Sequence, residues 1–152
     1  MKKLLLACTM MAVLVFPSCS SDDDSNNNNN NSVVTARIDG VEYNYNTINV
    51  DTETYTDGGQ TYTDVIVTAS IDNNPNNRIS FIAEQGVLGL DASWYFSYFL
   101  NDTAHPKTEN FQVNVTQSTN NRLVGTFAGD VQADVEPFDI IEITNGTFDI
   151  TY

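Results

Sequence analysis

The chain has 152 residues, with 20 acidic and 6 basic side chains and a formal net charge of −14 at pH 7. Because contacts with phosphate groups need lysine and arginine, this balance excludes nucleic acid as a partner and disfavours contact with an anionic lipid surface. It suits divalent cations, neutral sugars or a basic partner.

The first segment is typical of a secretory signal. Lys2 and Lys3 precede an apolar run of 13 residues, Leu4 to Phe16. A transmembrane helix needs about 20 apolar residues, so this run is too short to span a bilayer and fits a signal that is removed. Ordinary signal peptidase needs small residues at the cleavage site, and Phe16-Pro17-Ser18 does not provide a clean pair.

The end of this segment, Val15-Phe16-Pro17-Ser18-Cys19, resembles the lipobox of a bacterial lipoprotein signal. Phe16 and Pro17 stand where most bacteria have leucine and a small residue, and this looser form is similar to that of Bacteroidota lipoproteins. The resemblance implies that residues 1–18 are removed. It also implies that the thiol of Cys19 carries a diacylglycerol, whose fatty chains (palmitate, for example) anchor the protein in the membrane.

Residues 19–32 are expected to connect this anchor to the rest of the protein. Ser20 to Ser32 contains no hydrophobic residue, and Asn26 to Asn31 are six consecutive asparagines. Such a segment cannot bury apolar area, so we expect a disordered tether with a mean reach of about 20 Å. Ser20-Ser21-Asp22-Asp23-Asp24 resembles the acidic export signal of Bacteroidota lipoproteins, which implies an outer-membrane protein exposed at the cell surface.

Residues 33–152 are expected to form one domain without disulfides. Cys8 is removed with the signal, and an acylated Cys19 leaves no free thiol, so the hydrophobic core alone must hold the fold. After residue 18 the chain carries four basic and twenty acidic side chains, a formal charge of −16.

The pattern of this domain is β throughout. Short runs of Val, Ile, Thr, Tyr and Phe alternate with polar residues between Gly and Asn turns, and no window has helical periodicity. It predicts an all-β fold, either an antiparallel β-sandwich or a flattened up-and-down barrel of about 8–10 strands. The predicted strands lie near 33–38, 41–45, 47–51, 61–71, 78–84, 94–100, 110–116, 122–128, 138–143 and 147–152.

Two dipeptides predict type I′ hairpin turns. Asp39-Gly40 predicts the first hairpin, and Asn145-Gly146 predicts a closing hairpin that places Glu142 opposite Asp149. Paired carboxylates serve as acid and base in glycoside hydrolysis or bind a cation. On an open strand surface, a tolerated pair with Arg122 as a neutralising neighbour is the preferred interpretation.

The most apolar strand, 94–100, has aromatic side chains on both faces. Strict alternation places Trp94, Phe96 and Tyr98 on one face, and Tyr95 and Phe99 on the other. We expect the first face to be core. Tyr95 and Phe99 are the candidates for an exposed apolar patch that binds a sugar or a partner.

Acidic residues crowd the connection around 130–139. Asp130, Asp134 and Glu136 are candidate calcium ligands, although a solvated acidic loop is the commoner structure for such a segment. His105 is the only histidine and is expected in a polar loop, so the usual zinc ligand sets are missing from the sequence.

Two further resemblances concern Bacteroidota. Asp102-Thr103-Ala104 resembles the O-glycosylation site of their secreted proteins and implies modification of Thr103. The segments 38–41, 125–129 and 143–150 are similar to the opening and closing motifs of a family of small, uncharacterised Bacteroidota lipoprotein domains. That resemblance implies no activity and no functional residues.

The sequence therefore predicts a lipid-anchored binding or accessory module, not an enzyme, with a glycan, a protein or calcium as ligand. A carboxylate-based glycoside hydrolase and a lipocalin-like carrier of a small ligand are the alternatives. A closed barrel would favour the carrier, whereas an open sandwich would favour recognition at the surface.

Overall fold

The structure, a computed structural model, describes residues 32–152. This part of the chain folds into ten strands, and a 3₁₀ helix, Leu90–Ala92, precedes the sixth. None of its helices is long and apolar enough to cross a lipid bilayer. The strands are β1 Val33–Ile38, β2 Val41–Tyr45, β3 Thr47–Asp57, β4 Gln60–Ile71, β5 Asn74–Glu84, β6 Ser93–Leu100, β7 Thr103–Pro106, β8 Gln112–Ser118, β9 Arg122–Gln132 and β10 Ile140–Thr151.

The strands form two separate five-stranded antiparallel sheets, so the predicted sandwich is confirmed and the barrel alternative is wrong. Sheet I has the order β2-β1-β10-β9-β8, and sheet II has the order β3-β4-β5-β6-β7. Two isolated bridges, Gly89 to Val115 and Lys107 to Val131, connect segments next to β6 and β7 with strands of sheet I.

The predicted closing hairpin does not exist. β10 is one strand of 12 residues that pairs with β1 on one side and with β9 on the other. The pairing register shifts between Ile143 and Gly146, and Asn145 has a φ of 51°. Asn145-Gly146 is therefore a β-bulge inside a long central strand, because the left-handed backbone that permits a tight turn also permits a bulge.

The inner faces of both sheets supply the core, in which phenylalanine rings meet at centroid distances of 4.2 to 6.5 Å. Two glycines make this packing possible. Gly125 pairs with Phe148, and Gly146 pairs with Phe127, across β9 and β10. A Cβ atom on Gly125 would lie 2.4 Å from the Phe148 ring, and one on Gly146 would lie 2.4 Å from the Phe127 ring. Glycine in these strands marks a close approach, as its place in a strand predicts.

Two other features differ in detail from the sequence prediction. The predicted strand at 47–51 continues to Asp57, and Gly58-Gly59 is the tip of the long hairpin between β3 and β4. Residues 103–106, expected in a loop, form the edge strand β7 against β6. His105 lies in this strand and is only 4% exposed, so the expectation of a solvated histidine is wrong.

Candidate ligand-binding site

A depression with a volume of about 710 Å³ lies on the outer face of sheet I. Its floor consists of outward-facing residues of β8, β9 and β10, and the loop before the 3₁₀ helix forms one wall. We call it the neutral groove, because no charged side chain lines it. The lining residues are Gly89, Leu90, Gln112, Asn114, Thr126, Phe127, Ala128, Asn145, Gly146 and Thr147.

Two local features explain the concave shape of this face. The bulge at Asn145 lies in β10 beneath the groove, and a bulge bends its strand and increases the local twist. The loop residue Gly89 exchanges two backbone hydrogen bonds with Val115 of β8, of 2.8 and 3.1 Å, and this contact holds the wall against the sheet edge. Leu90 then stands at the rim with 53% of its surface exposed.

The groove offers hydrogen-bonding groups that no other described residue uses. Side chains of Gln112, Asn114, Thr126 and Asn145 are exposed, and none of them makes a hydrogen bond within residues 32–152. Each amide provides two donors and one acceptor, and the hydroxyl provides both functions. Thr147 differs, because its Oγ1 lies 2.8 Å from that of Thr35. The groove can therefore donate to and accept from a polar ligand without presenting charge.

The aromatic pair predicted from β6 does not form an exposed patch. Tyr95 and Phe99 are both half-buried on the outer face of sheet II. The guanidinium carbon of Arg78 lies 3.8 Å from the centroid of the Phe99 ring and covers it. A register shift between Ile82 and Ala83 makes Trp94 an extra residue, which is 58% exposed and does not share the buried face of Phe96.

The predicted calcium ligands do not converge. Asp130 lies in β9, where its Oδ2 accepts a hydrogen bond of 2.8 Å from Asn110, while Asp134 and Glu136 lie in the exposed connection that follows. Within residues 32–152, no group of three or more His, Cys, Asp or Glu side chains is placed to hold a metal ion. The three carboxylates therefore do not form a site in this structure.

The predicted facing of Glu142 and Asp149 is wrong, because both residues lie on the same strand. Glu142 pairs with Asp130, and Asp149 pairs with Val124. Arg122 neutralises Asp149 as expected, through hydrogen bonds of 3.0 and 2.8 Å. The hydrogen bond from Arg122 lowers the pKa of Asp149. The acid and base pair of a glycosidase is therefore not assembled from these two residues.

His105 and Thr103 both belong to the edge strand β7. The Nδ1 atom of His105 lies 3.1 Å from the carbonyl oxygen of Thr103, and its ring lies 6.0 Å from that of Tyr98. Thr103 directly follows the turn at Asn101 and Asp102, so the predicted modification site lies at the tip of a hairpin. The Thr103 side chain is half-buried.

Sequence reasoning missed the groove residues, although a signal was present. Gln112 and Asn114 alternate with the apolar residues of β8, and Thr126 and Ala128 do the same in β9. Alternation predicts that such residues share one outer face.

No protein-family model matches the chain, and no curated protein or solved structure is significantly similar to it. The predicted signal, the lipid attachment at Cys19 and most of the tether lie outside the described residues.

Proposed function

We propose that this protein is an outer-membrane lipoprotein, exposed at the cell surface, whose β-sandwich binds a neutral glycan in the neutral groove. The lipobox-like segment that ends at Cys19 supports the anchor, and the acidic residues that follow it support export to the surface. The tether then presents the sandwich about 20 Å from the lipid headgroups. In this proposal, the sandwich is a binding module and not an enzyme.

The observation that carries the choice of ligand is the absence of charge from the groove. The secreted part of the chain has a formal charge of −16, yet the residues that line the groove carry none. Amide and hydroxyl side chains complement the hydroxyl groups of a sugar, which both donate and accept hydrogen bonds. An acidic surface around a neutral groove repels anionic polymers and leaves neutral ones free to approach.

The other ligand classes have less support. Calcium prefers several carboxylate oxygens, and the groove contains none. Glycoside hydrolysis uses two carboxylates on either side of the scissile bond, so the same composition favours binding over cleavage. A small-ligand carrier needs an internal cavity. The space between these two sheets holds packed phenylalanine rings such as Phe81, Phe96 and Phe127.

A glycan array probed with the secreted protein tests the proposed ligand. We expect binding to neutral oligosaccharides, and Asn114→Ala should weaken it about fivefold, the equivalent of one hydrogen bond worth about 1 kcal/mol. Asn49→Ala is the matched control, because Asn49 is exposed on the outer face of sheet II. Equal loss in both variants, or binding only to charged glycans, would contradict the proposal.

Substitution of the lipid attachment residue tests the anchor separately. Cys19→Ala should abolish metabolic labelling with a fatty acid and move the protein out of the membrane fraction. The control is Asp22→Ala with Asp23→Ala and Asp24→Ala, which should retain the lipid label and reduce protease accessibility on intact cells. Labelling that persists in Cys19→Ala would refute the anchor and leave the glycan proposal untouched.

A further inference from the structure

A row of three acidic residues crosses the outer face of sheet II. Glu53 on β3 pairs with Asp64 on β4, and Asp64 pairs with Glu84 on β5. We call these three residues the acidic row. Like charges that face each other across strands destabilise a sheet, since their Cβ atoms lie about 5 Å apart. The only ion pair within residues 32–152 is Arg122 with Asp149, on the other sheet, so no described basic residue neutralises the row.

Asp64, at the centre of this row, is buried without a partner. It is 8% exposed although it lies on an outer sheet face, and its Oδ1 atom has no hydrogen bond. A buried carboxylate oxygen without a donor costs free energy, and proteins rarely leave one unpaired. An isolated sheet face has no evident reason to retain such a group. A cationic group held over the row would offset this cost through its charge.

Aromatic rings lie on both sides of the acidic row. Tyr55 and Tyr62 stack beside it, with ring centroids 5.5 Å apart. Loss of solvation, followed by the charges of Asp64 and Glu84, raises the pKa of the Tyr55 hydroxyl, which agrees with its position near the carboxylates. Beyond Glu84, the neighbouring strand β6 carries Trp94, which follows Ser93, the partner of Ala83.

We infer that the acidic row is a binding site for an arginine or lysine side chain of a basic partner protein. Carboxylates flanked by aromatic faces are the surroundings that guanidinium and ammonium groups prefer, through charge-assisted hydrogen bonds and cation–π contacts. The same sheet face already stacks one guanidinium on a ring, where Arg78 covers Phe99. A metal ion fits less well, because the described carboxylates do not converge as metal ligands.

This site is independent of the neutral groove, because the two lie on opposite sheets. A cationic side chain placed over the acidic row neutralises Asp64 together with Glu53 and Glu84. The ligand that fits is thus a short basic segment of a protein, with its arginine or lysine placed over the acidic row.

Fluorescence of Trp94, the only tryptophan in the chain, reports on this site directly. The full chain in a neutral detergent is titrated with an acetylated, amidated tripeptide of arginine, glycine and arginine. Its control is the same peptide with citrulline, which keeps the shape of arginine and lacks the charge. We expect a saturable change in emission with the arginine peptide and none with citrulline.

Substitutions identify the carboxylates that matter. Asp64→Asn and Glu84→Gln should each weaken the arginine peptide about tenfold, as expected for hydrogen bonds to a charged group. Glu109→Gln removes the same charge from an exposed loop and should change affinity less than about twofold. Urea unfolding of each variant shows whether it is folded, and Glu84→Gln retains the test should Asp64→Asn not fold.

Three outcomes would overturn the inference. Equal responses to the arginine and citrulline peptides would show that charge is not recognised. An equal loss in Glu109→Gln would show attraction by net charge alone. Calcium chloride that reproduces the fluorescence change and competes with the peptide would identify the row as a metal site. None of these outcomes bears on the proposed glycan groove.

Discussion

Replacing Tyr45 with phenylalanine should stabilise the protein. The Tyr45 side chain is fully buried at the end of β2, and its hydroxyl has no hydrogen-bond partner. Burial raises the pKa of this hydroxyl far above its usual value, which shows how poorly the site would hold a charge. Tyr45→Phe removes the unpaired oxygen and keeps the ring.

The size of the effect follows from two opposing terms. An unsatisfied buried hydroxyl costs about 1–3 kcal/mol of stability, which Tyr45→Phe recovers. The small void left by the missing oxygen lowers this gain by up to about 1 kcal/mol. The expected net gain is about 1 kcal/mol, or about 4 °C in the midpoint of thermal unfolding for a domain of this size. Urea unfolding followed by circular dichroism measures the same change.

Tyr152→Phe is the matched control, because its hydroxyl donates a hydrogen bond of 2.6 Å to the carbonyl oxygen of Thr119. The same chemical change should there lower the free energy of unfolding by about 1 kcal/mol. The two variants should therefore shift the urea midpoint in opposite directions. A loss of stability in Tyr45→Phe equal to that in Tyr152→Phe would refute the reasoning.

The remaining predictions concern packing and charge. Gly125→Ala should cost about 3 kcal/mol in urea unfolding, because the new Cβ would lie 2.4 Å from both a buried phenylalanine ring and a backbone oxygen, whereas Thr126→Ala beside it should cost less than about 0.5 kcal/mol. Arg122→Gln should lower the urea midpoint only slightly, because its pair with Asp149 is almost half exposed and screened by solvent. That decrease should vanish in acid, since the lowered pKa of Asp149 makes the contribution present at neutral pH and lost when this carboxylate is protonated. Alkali should destabilise the protein between about pH 10 and 12, because burial raises the pKa of Tyr98 to about 12 and the unfolded chain releases that proton first. Tyr98→Phe should flatten this decline, and an unchanged slope would contradict the assignment.

Local sequence patterns predicted most of the strands, but they could not decide whether Asn145-Gly146 forms a turn or a bulge. Asp39-Gly40 and Asn145-Gly146 are both short segments in which positive φ is favourable, and both adopt it at their first residue. The first turns the chain back, since β2 pairs with β1. The second continues as a strand, because β10 pairs on both sides. Its partners in β1 are more than a hundred residues away along the chain, and its partners in β9 are 8 to 29 residues away. That choice depends on tertiary pairing, which no short window contains.

The burial of polar residues on the sheet faces could not be predicted from short sequence windows either. Alternation correctly places Asp64 on the outer side of β4 and the core residues Val65 and Val67 around it. It does not reveal that Asp64 is buried, because the register that brings Glu84 and Tyr55 near it involves other strands. The burial of His105 could not be predicted for the same reason, because it depends on the pairing of β7, an edge strand of only four residues.

The two ends of the described chain meet, and this affects how the sandwich bears mechanical load. Ser32 Oγ accepts a hydrogen bond of 3.1 Å from the Thr151 amide and donates one of 3.3 Å to its carbonyl oxygen. The end of β10 is therefore bonded to the residue that precedes β1. β1 begins at the next residue and lies between β2 and β10. Tension arriving through residue 32 along the strand direction must shear two rows of backbone hydrogen bonds together instead of peeling off an edge. If the proposed lipid anchor at the amino end is correct, this arrangement would make the sandwich resist unfolding when its ligand is pulled.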